Sequence, residues 1–91
     1  MQNKDKRFKL VDTVVISEIA SEAVLLNLKT GIYFQLNKLG NFIISQLKDY
    51  STFNELLDKV ILTFDVSPEK AHDDLLSFIR SLEEKKLLHV N

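Results

Sequence analysis

The chain has 91 residues, of which 45% are hydrophobic and 27% charged, the balance of an ordinary globular domain. Its 12 Lys and Arg residues against 13 Asp and Glu residues give a net charge of −1, without the basic excess typical of nucleic-acid-binding domains. The absence of cysteine excludes disulfides, zinc fingers and thiol nucleophiles. Together with the lack of a long apolar stretch, it favours a cytoplasmic protein that does not enter membranes. We expect one domain over residues 1–91, with residues 1–11 as a flexible lead-in.

The first third of the chain has the pattern of three β-strands. Residues 13–19 are rich in β-branched side chains. In residues 22–28, Val or Leu at positions 24, 26 and 28 alternates with more varied side chains at the positions between them. A short turn that closes on Gly31 leads to the third strand, residues 32–36. The short connections predict an antiparallel meander in chain order.

Three helices are predicted after the strands. Asn37 is a good N-cap for the first helix, and Thr52 with Glu55 forms the capping-box pattern at the start of the second. Ser67 followed by Pro68 marks the start of the third. Three strands followed by three helices predict an α+β domain that resembles a winged helix-turn-helix. Residues 87–90 are expected to close the core as an extended tail.

No recognised catalytic or cofactor-binding motif is present in the sequence. His72 with Asp73 and Asp74 is the one imaginable metal cluster, but a metal ion needs three or four converging ligands. The simpler interpretation is that these residues form the solvated face of a helix. We therefore expect no cofactor, no metal and no enzymatic activity.

The third predicted strand would form one edge of the sheet and carries neither a charge nor a proline. Proteins usually protect such edges, because unpaired backbone groups invite another strand. One interpretation is that a helix, or the N-terminal segment around Phe8 and Leu10, covers this edge. The other is that the edge stays open to accept a peptide by strand addition. Pattern alone leaves both interpretations open.

A set of short motifs extends in a fixed order and spacing over most of the chain. They are Glu22-Ala23-Val24-Leu25-Leu26-Asn27-Leu28, Thr30-Gly31, Tyr33-Phe34, Leu36-Asn37, Gly40, Ile43, Leu47, Asp74-Leu75, Phe78-Ile79, Leu82 and Leu87. Through these motifs, residues 12–90 resemble the PqqD-like domains, which recognise the precursors of ribosomally made peptide natural products. The chain departs from the common pattern of these domains at Ile44, Gln46 and Lys86, positions that concern packing and a helix end.

The resemblance implies that the leader segment of a precursor peptide binds beside the third strand, with its side chains against the third helix. The implied contact residues are Ile32, Tyr33, Phe34, Gln35, Leu36, Asp74, Leu75, Phe78, Ile79 and Leu82. Of the helix residues, we expect Leu75, Phe78 and Leu82 to point inward and Ile79 to face the rim of the groove. Asp74 is expected either to bind the leader or to be a solvated charge.

The resemblance also implies the partners. In a lasso-peptide system these would be a cysteine peptidase and an ATP-dependent macrolactam synthetase. The alternative is a PqqD-type peptide chaperone that serves a radical-SAM enzyme. A winged-helix DNA-binding regulator is disfavoured, because the third helix begins with three acids against one lysine. We expect a monomer or a weak homodimer paired through the third strand.

Overall fold

The computed structural model describes residues 6–19 and 22–91. These residues form six strands and three helices, and the predicted α+β class is confirmed. The strands are β1 (Arg7–Leu10), β2 (Val14–Ile19), β3 (Glu22–Asn27), β4 (Tyr33–Leu36), β5 (Ser51–Thr52) and β6 (Leu88–Val90). The helices are α1 (Lys38–Gln46), α2 (Phe53–Thr63) and α3 (Pro68–Glu84).

The main sheet has the predicted order β2-β3-β4, with both pairs antiparallel. Gly31 closes the β3–β4 turn at a φ of 76°, which a residue without a Cβ adopts readily. The buried Asn27 side chain stabilises this end of the sheet. Its Oδ1 accepts hydrogen bonds from the Thr13 hydroxyl at 2.9 Å and from the Lys29 N–H at 3.0 Å.

A second sheet, in the order β5-β1-β6, was not predicted. Its central strand contradicts the expected flexible lead-in, although residues 1–5 of that lead-in lie outside the described residues. Phe8 and Leu10 are both buried in the core, and Leu10 pairs with Leu88 of β6. The N-terminal strand therefore does not cover the edge of β4, since its own pairing partners lie in the second sheet.

The three helices begin at the predicted caps. The Asn37 side chain accepts the Gly40 N–H at 2.7 Å, and the Ser67 hydroxyl accepts a backbone N–H at the start of α3. At α2 the capping box is complete, because Glu55 accepts the Thr52 N–H at 2.8 Å and donates its own N–H to the Thr52 hydroxyl at 3.1 Å. The hydrogen bond from the Thr52 backbone N–H holds the pKa of the Glu55 carboxyl below its ordinary value.

The core lies between the inner face of the main sheet and the three helices, and the second sheet closes one end of it. The largest fully buried side chains are Leu25, Ile43, Ile44, Leu47, Leu56, Val60, Leu75, Leu82 and Leu87. In residues 6–19 and 22–91, no helix has the length and apolar character needed to cross a membrane.

Candidate peptide-binding site

The outer edge of β4 exposes the backbone groups of two residues. The Asn27 N–H donates to the Ile32 carbonyl at 2.9 Å, so these two residues form a hydrogen-bonded pair of the β3–β4 ladder. Because bonding alternates along an antiparallel pair, Phe34 also bonds β3, whereas Tyr33 and Gln35 direct their N–H and C=O groups away from it. Within the described part of the chain, no strand pairs with this side of β4. The edge is therefore open for strand addition.

Side chains alternate across β4 as the sequence predicted. Phe34 is half-buried and Leu36 is buried on the inner face, whereas Tyr33 and Gln35 are exposed on the outer face. Tyr33 is 68% exposed. Ile32 lies just before the strand and is partly exposed. An added strand would therefore continue an inner face that is apolar and an outer face that is open to solvent.

Helix α3 packs beside β4 through an aromatic pair. The rings of Phe34 and Phe78 meet edge-to-face, with centroids 5.6 Å apart and planes at 89°. The Lys85 ammonium lies 5.9 Å from the centroid of the Phe34 ring, within the range of a cation–π contact. Gly40 of α1 makes room for this arrangement, since a Cβ there would lie 3.0 Å from Cε1 of Phe78.

Two clefts meet at Phe78 and Asn37, and together with the β4 edge we call them the β4–α3 groove. The first has a volume of about 560 Å³ and an apolar floor with polar residues around it. It is lined by Glu22, Ala23, Phe34, Gln35, Leu36, Asn37, Lys38, Asn41 and Phe78. The second has a volume of about 410 Å³ and is more polar. It is lined by Asn37, Leu39, Gly40, Lys70, Asp74, Ser77, Phe78 and Ser81.

Asp74 lies in the second cleft and forms an ion pair with Lys70 one helical turn earlier, at 3.1 Å. Its side chain is partly exposed, so the carboxylate can still accept a hydrogen bond from a ligand. A contact with a leader peptide stays a prediction, as does the simpler role of a solvated helix charge.

The predicted orientation of two α3 residues was wrong. Ile79 is only 2% exposed and packs in the core, on the side of α3 that faces Phe8 and Phe53. Phe78 is the residue that lines the β4–α3 groove. Leu75 and Leu82 are fully buried, as expected. The buried stripe follows positions 71, 75, 79 and 82, and a stripe through position 78 fits the helical period equally well.

Sequence reasoning missed several residues that line the groove. Lys38 and Asn41 line the first cleft from the first turn of α1, and Lys85 approaches the Phe34 ring from the end of α3. Gly40 carried a signal, because a glycine inside a helix costs about 1 kcal/mol relative to alanine and implies a close neighbour. That neighbour is the Phe78 ring.

The histidine cluster considered from the sequence is exposed on α3. His72 Nδ1 lies 3.4 Å from the Asp73 carboxylate. In the part of the chain that the structure describes, no group of three or more His, Cys, Asp or Glu side chains converges as metal ligands would.

A family model described as Coenzyme PQQ synthesis protein D (PqqD) matches residues 22–88, which include β3, β4 and all three helices. The chain belongs to the PqqD family. The resemblance drawn from the sequence is thus confirmed, and the groove of this PqqD-family chain lies almost entirely within the matched residues.

Two solved structures resemble this PqqD-family chain. TbiB1, in complex with the TbiA(beta) leader peptide, is 37% identical, with a TM-score of 0.76 over 89% of this chain and 94% of that one. A lasso peptide synthetase B1, complexed with the leader peptide, is 23% identical, with a TM-score of 0.74 over 90% and 96% of the two chains. The second likeness bears on the fold alone. No curated protein matches the sequence significantly.

Proposed function

We propose that this chain binds the leader segment of a ribosomally synthesised precursor peptide by strand addition at β4, and presents it to modifying enzymes. The observation that carries the proposal is the open edge of β4, where Tyr33 and Gln35 offer unpaired backbone groups beside the aromatic pair of Phe34 and Phe78. Membership of the PqqD family supports it. So does the 37% identity to TbiB1, whose structure holds a leader peptide.

The register of the sheet determines how a leader strand would dock. Its backbone would exchange hydrogen bonds with Tyr33 and with Gln35, each bond stabilising the complex by about 0.5–1.5 kcal/mol. The leader residue between these two bonding positions would lie opposite Phe34. Its side chain would share the inner face with Phe34 and contact Phe78. Specificity would come from this side chain, because the backbone bonds are common to all sequences.

We infer that the chain delivers its peptide and does no chemistry itself. In the lasso pathway it would hand the precursor to a cysteine peptidase and a macrolactam synthetase. The description of the family model instead favours a PqqD-type chaperone for a radical-SAM enzyme. Pull-down of each candidate enzyme with the leader-loaded chain separates the two. A cytoplasmic location and a single domain over residues 1–91 belong to the same proposal.

A DNA-binding role has weaker support than peptide binding. The start of α3, which would be the recognition helix, carries Glu69, Asp73 and Asp74. The ammonium of Lys70 is already paired with Asp74. An acidic helix would be repelled by phosphates, whose neutralisation supplies most of the affinity for DNA.

The function is tested by calorimetric titration of the chain with synthetic leader segments of precursor peptides, the TbiA(beta) leader among them. Phe34→Asp should abolish binding, because it places a charge on the inner face where the leader side chain would contact Phe78. Leu62→Asp is the matched control, since Leu62 is 85% exposed on α2 and is not among the groove residues. A folded Phe34→Asp variant that binds the leader at full strength would overturn the assignment of β4.

A further inference from the structure

The main sheet has a second open edge, formed by β2. The Leu28 N–H donates to the Thr13 carbonyl at 2.9 Å, so these two residues form a hydrogen-bonded pair at the end of the β2–β3 ladder. By the same alternation, Val14, Ile16 and Glu18 direct their backbone groups away from β3. No strand within residues 6–19 and 22–91 pairs with that side of β2.

The β2 edge has little of the usual protection against pairing, since Glu18 is its one charged residue. Residues Val14–Ile19 form a longer strand than β4 and include neither a lysine nor a proline. Two of its apolar side chains are exposed, Val15 at 42% and Ile16 at 39%. A β-branched edge of this length, whose single charge is that of Glu18, is a surface that another strand can extend when the partner offsets that charge.

The charges along this edge are self-complementary. Lys9 and Lys48 line a cleft beside Val14 and Ile16, together with the single acid Asp12. Glu18 lies at the other end of β2, in a cleft that it shares with Lys38 and Lys48. The ion pairs found among the described residues do not involve Glu18 or these three lysines, so their charges can act between molecules.

We propose that β2 is a self-association surface, on which two copies of this chain pair β2 antiparallel about a two-fold axis at Ile16. In this register Ile16 forms backbone hydrogen bonds with Ile16 of the second copy, and Val14 does so with Glu18 of the second copy. All the outward-facing backbone groups of β2 are therefore satisfied. The Glu18 carboxylate then lies beside the Val14 end of the other strand, where Lys9 and Lys48 are located. The two-fold axis repeats this contact.

The pairing joins the two main sheets into one continuous sheet with β4 at each end. Both β4–α3 grooves stay open, so leader binding and self-association do not compete. In a dimer paired through β4, by contrast, the leader would displace the second copy. The contact is confined to one strand and its flanking lysines, so a weak, reversible dimer is expected.

A single engineered cysteine tests the register, because the natural chain has none. Residues opposite each other in a hydrogen-bonded antiparallel pair have Cα atoms about 5.5 Å apart, within the range that a disulfide spans. Ile16→Cys should therefore form a disulfide-linked dimer under mild oxidation. Tyr33→Cys, on the β4 edge, and Leu62→Cys, on α2, should form far less. Cross-linking of Ile16→Cys no faster than of Leu62→Cys would overturn the proposal.

An exchange of charges tests the contact while leaving the backbone groups of β2 unchanged. By sedimentation equilibrium, Glu18→Lys or Lys48→Glu alone should weaken self-association about tenfold, since each places like charges together. The double variant Glu18→Lys/Lys48→Glu should restore the natural affinity, because each new lysine meets a new glutamate. Failure of the double variant to recover would overturn the proposal, as would dispersal of the dimer by leader peptide. Leader affinity, measured on the same variants, should stay unchanged.

Discussion

The variant Gln35→Pro tests whether the backbone of β4 binds the leader. Gln35 directs its N–H away from β3, so a proline at this position removes no bond of the existing sheet. Proline is tolerated on edge strands when its missing N–H faces outward, and it favours an extended conformation in the preceding residue, here Phe34. The Gln35 side chain is exposed, so its loss leaves the core intact. The variant should fold.

The expected loss of leader affinity follows from the same geometry. One backbone hydrogen bond, worth about 0.5–1.5 kcal/mol net, disappears, and the proline ring occupies the place where the added strand would approach. A loss of about 1.4 kcal/mol or more is expected, at least tenfold in the dissociation constant measured by calorimetry. Ile16→Pro is the matched control, since it removes an outward N–H from the opposite edge. Equal leader affinity in folded Gln35→Pro and the natural chain would refute strand addition at β4.

Three further predictions concern α3 and the cap of α2. Ile79→Asp should unfold the chain in thermal melts, because it buries an unpaired charge at a position only 2% exposed, and a folded variant would contradict the packing of α3. Asp74→Asn should weaken leader binding in calorimetry while leaving the melting temperature nearly unchanged. An unchanged affinity would identify Asp74 as a solvated charge. The Thr52 N–H lowers the pKa of Glu55, so the stability that this carboxylate contributes is present above its ordinary pKa of about 4.5 and is lost as pH falls further. Denaturant titrations should show that loss in the natural chain and not in Glu55→Gln.

The parts of the fold that local signals determine could be predicted from the sequence. The caps at Asn37, Thr52 and Ser67 act within one helical turn, and each lies where the residue pattern placed it. The meander was predictable for a similar reason, since its strands follow one another through short connections and Gly31 marks the second turn.

The second sheet could not be predicted in this way, because its strands come from opposite ends of the chain. Phe8 pairs with Val90, and only the assembled core brings these residues together. The alternation of Arg7, Phe8, Lys9 and Leu10 is too short to distinguish a strand from a polar lead-in.

The candidate site was predictable on its strand side and not on its helix side. A strand side chain has two possible faces, and the buried Leu36 settles which face Phe34 shares. On α3, neighbouring residues differ by about 100° around the axis, so a core stripe can pass through Phe78 or Ile79 with equal regularity. The choice depends on Gly40 of α1, which leaves space for the Phe78 ring.

Amide hydrogen exchange of the chain with and without saturating leader peptide tests strand addition at β4 most directly. Strand addition should make the amides of Tyr33 and Gln35, which face outward, exchange more slowly when the leader is bound. The amides of Val14 and Ile16, on the other edge, should exchange at the same rate in both states at the same protein concentration. Exchange of the Tyr33 and Gln35 amides at their free rates in the presence of saturating leader would contradict strand addition at β4.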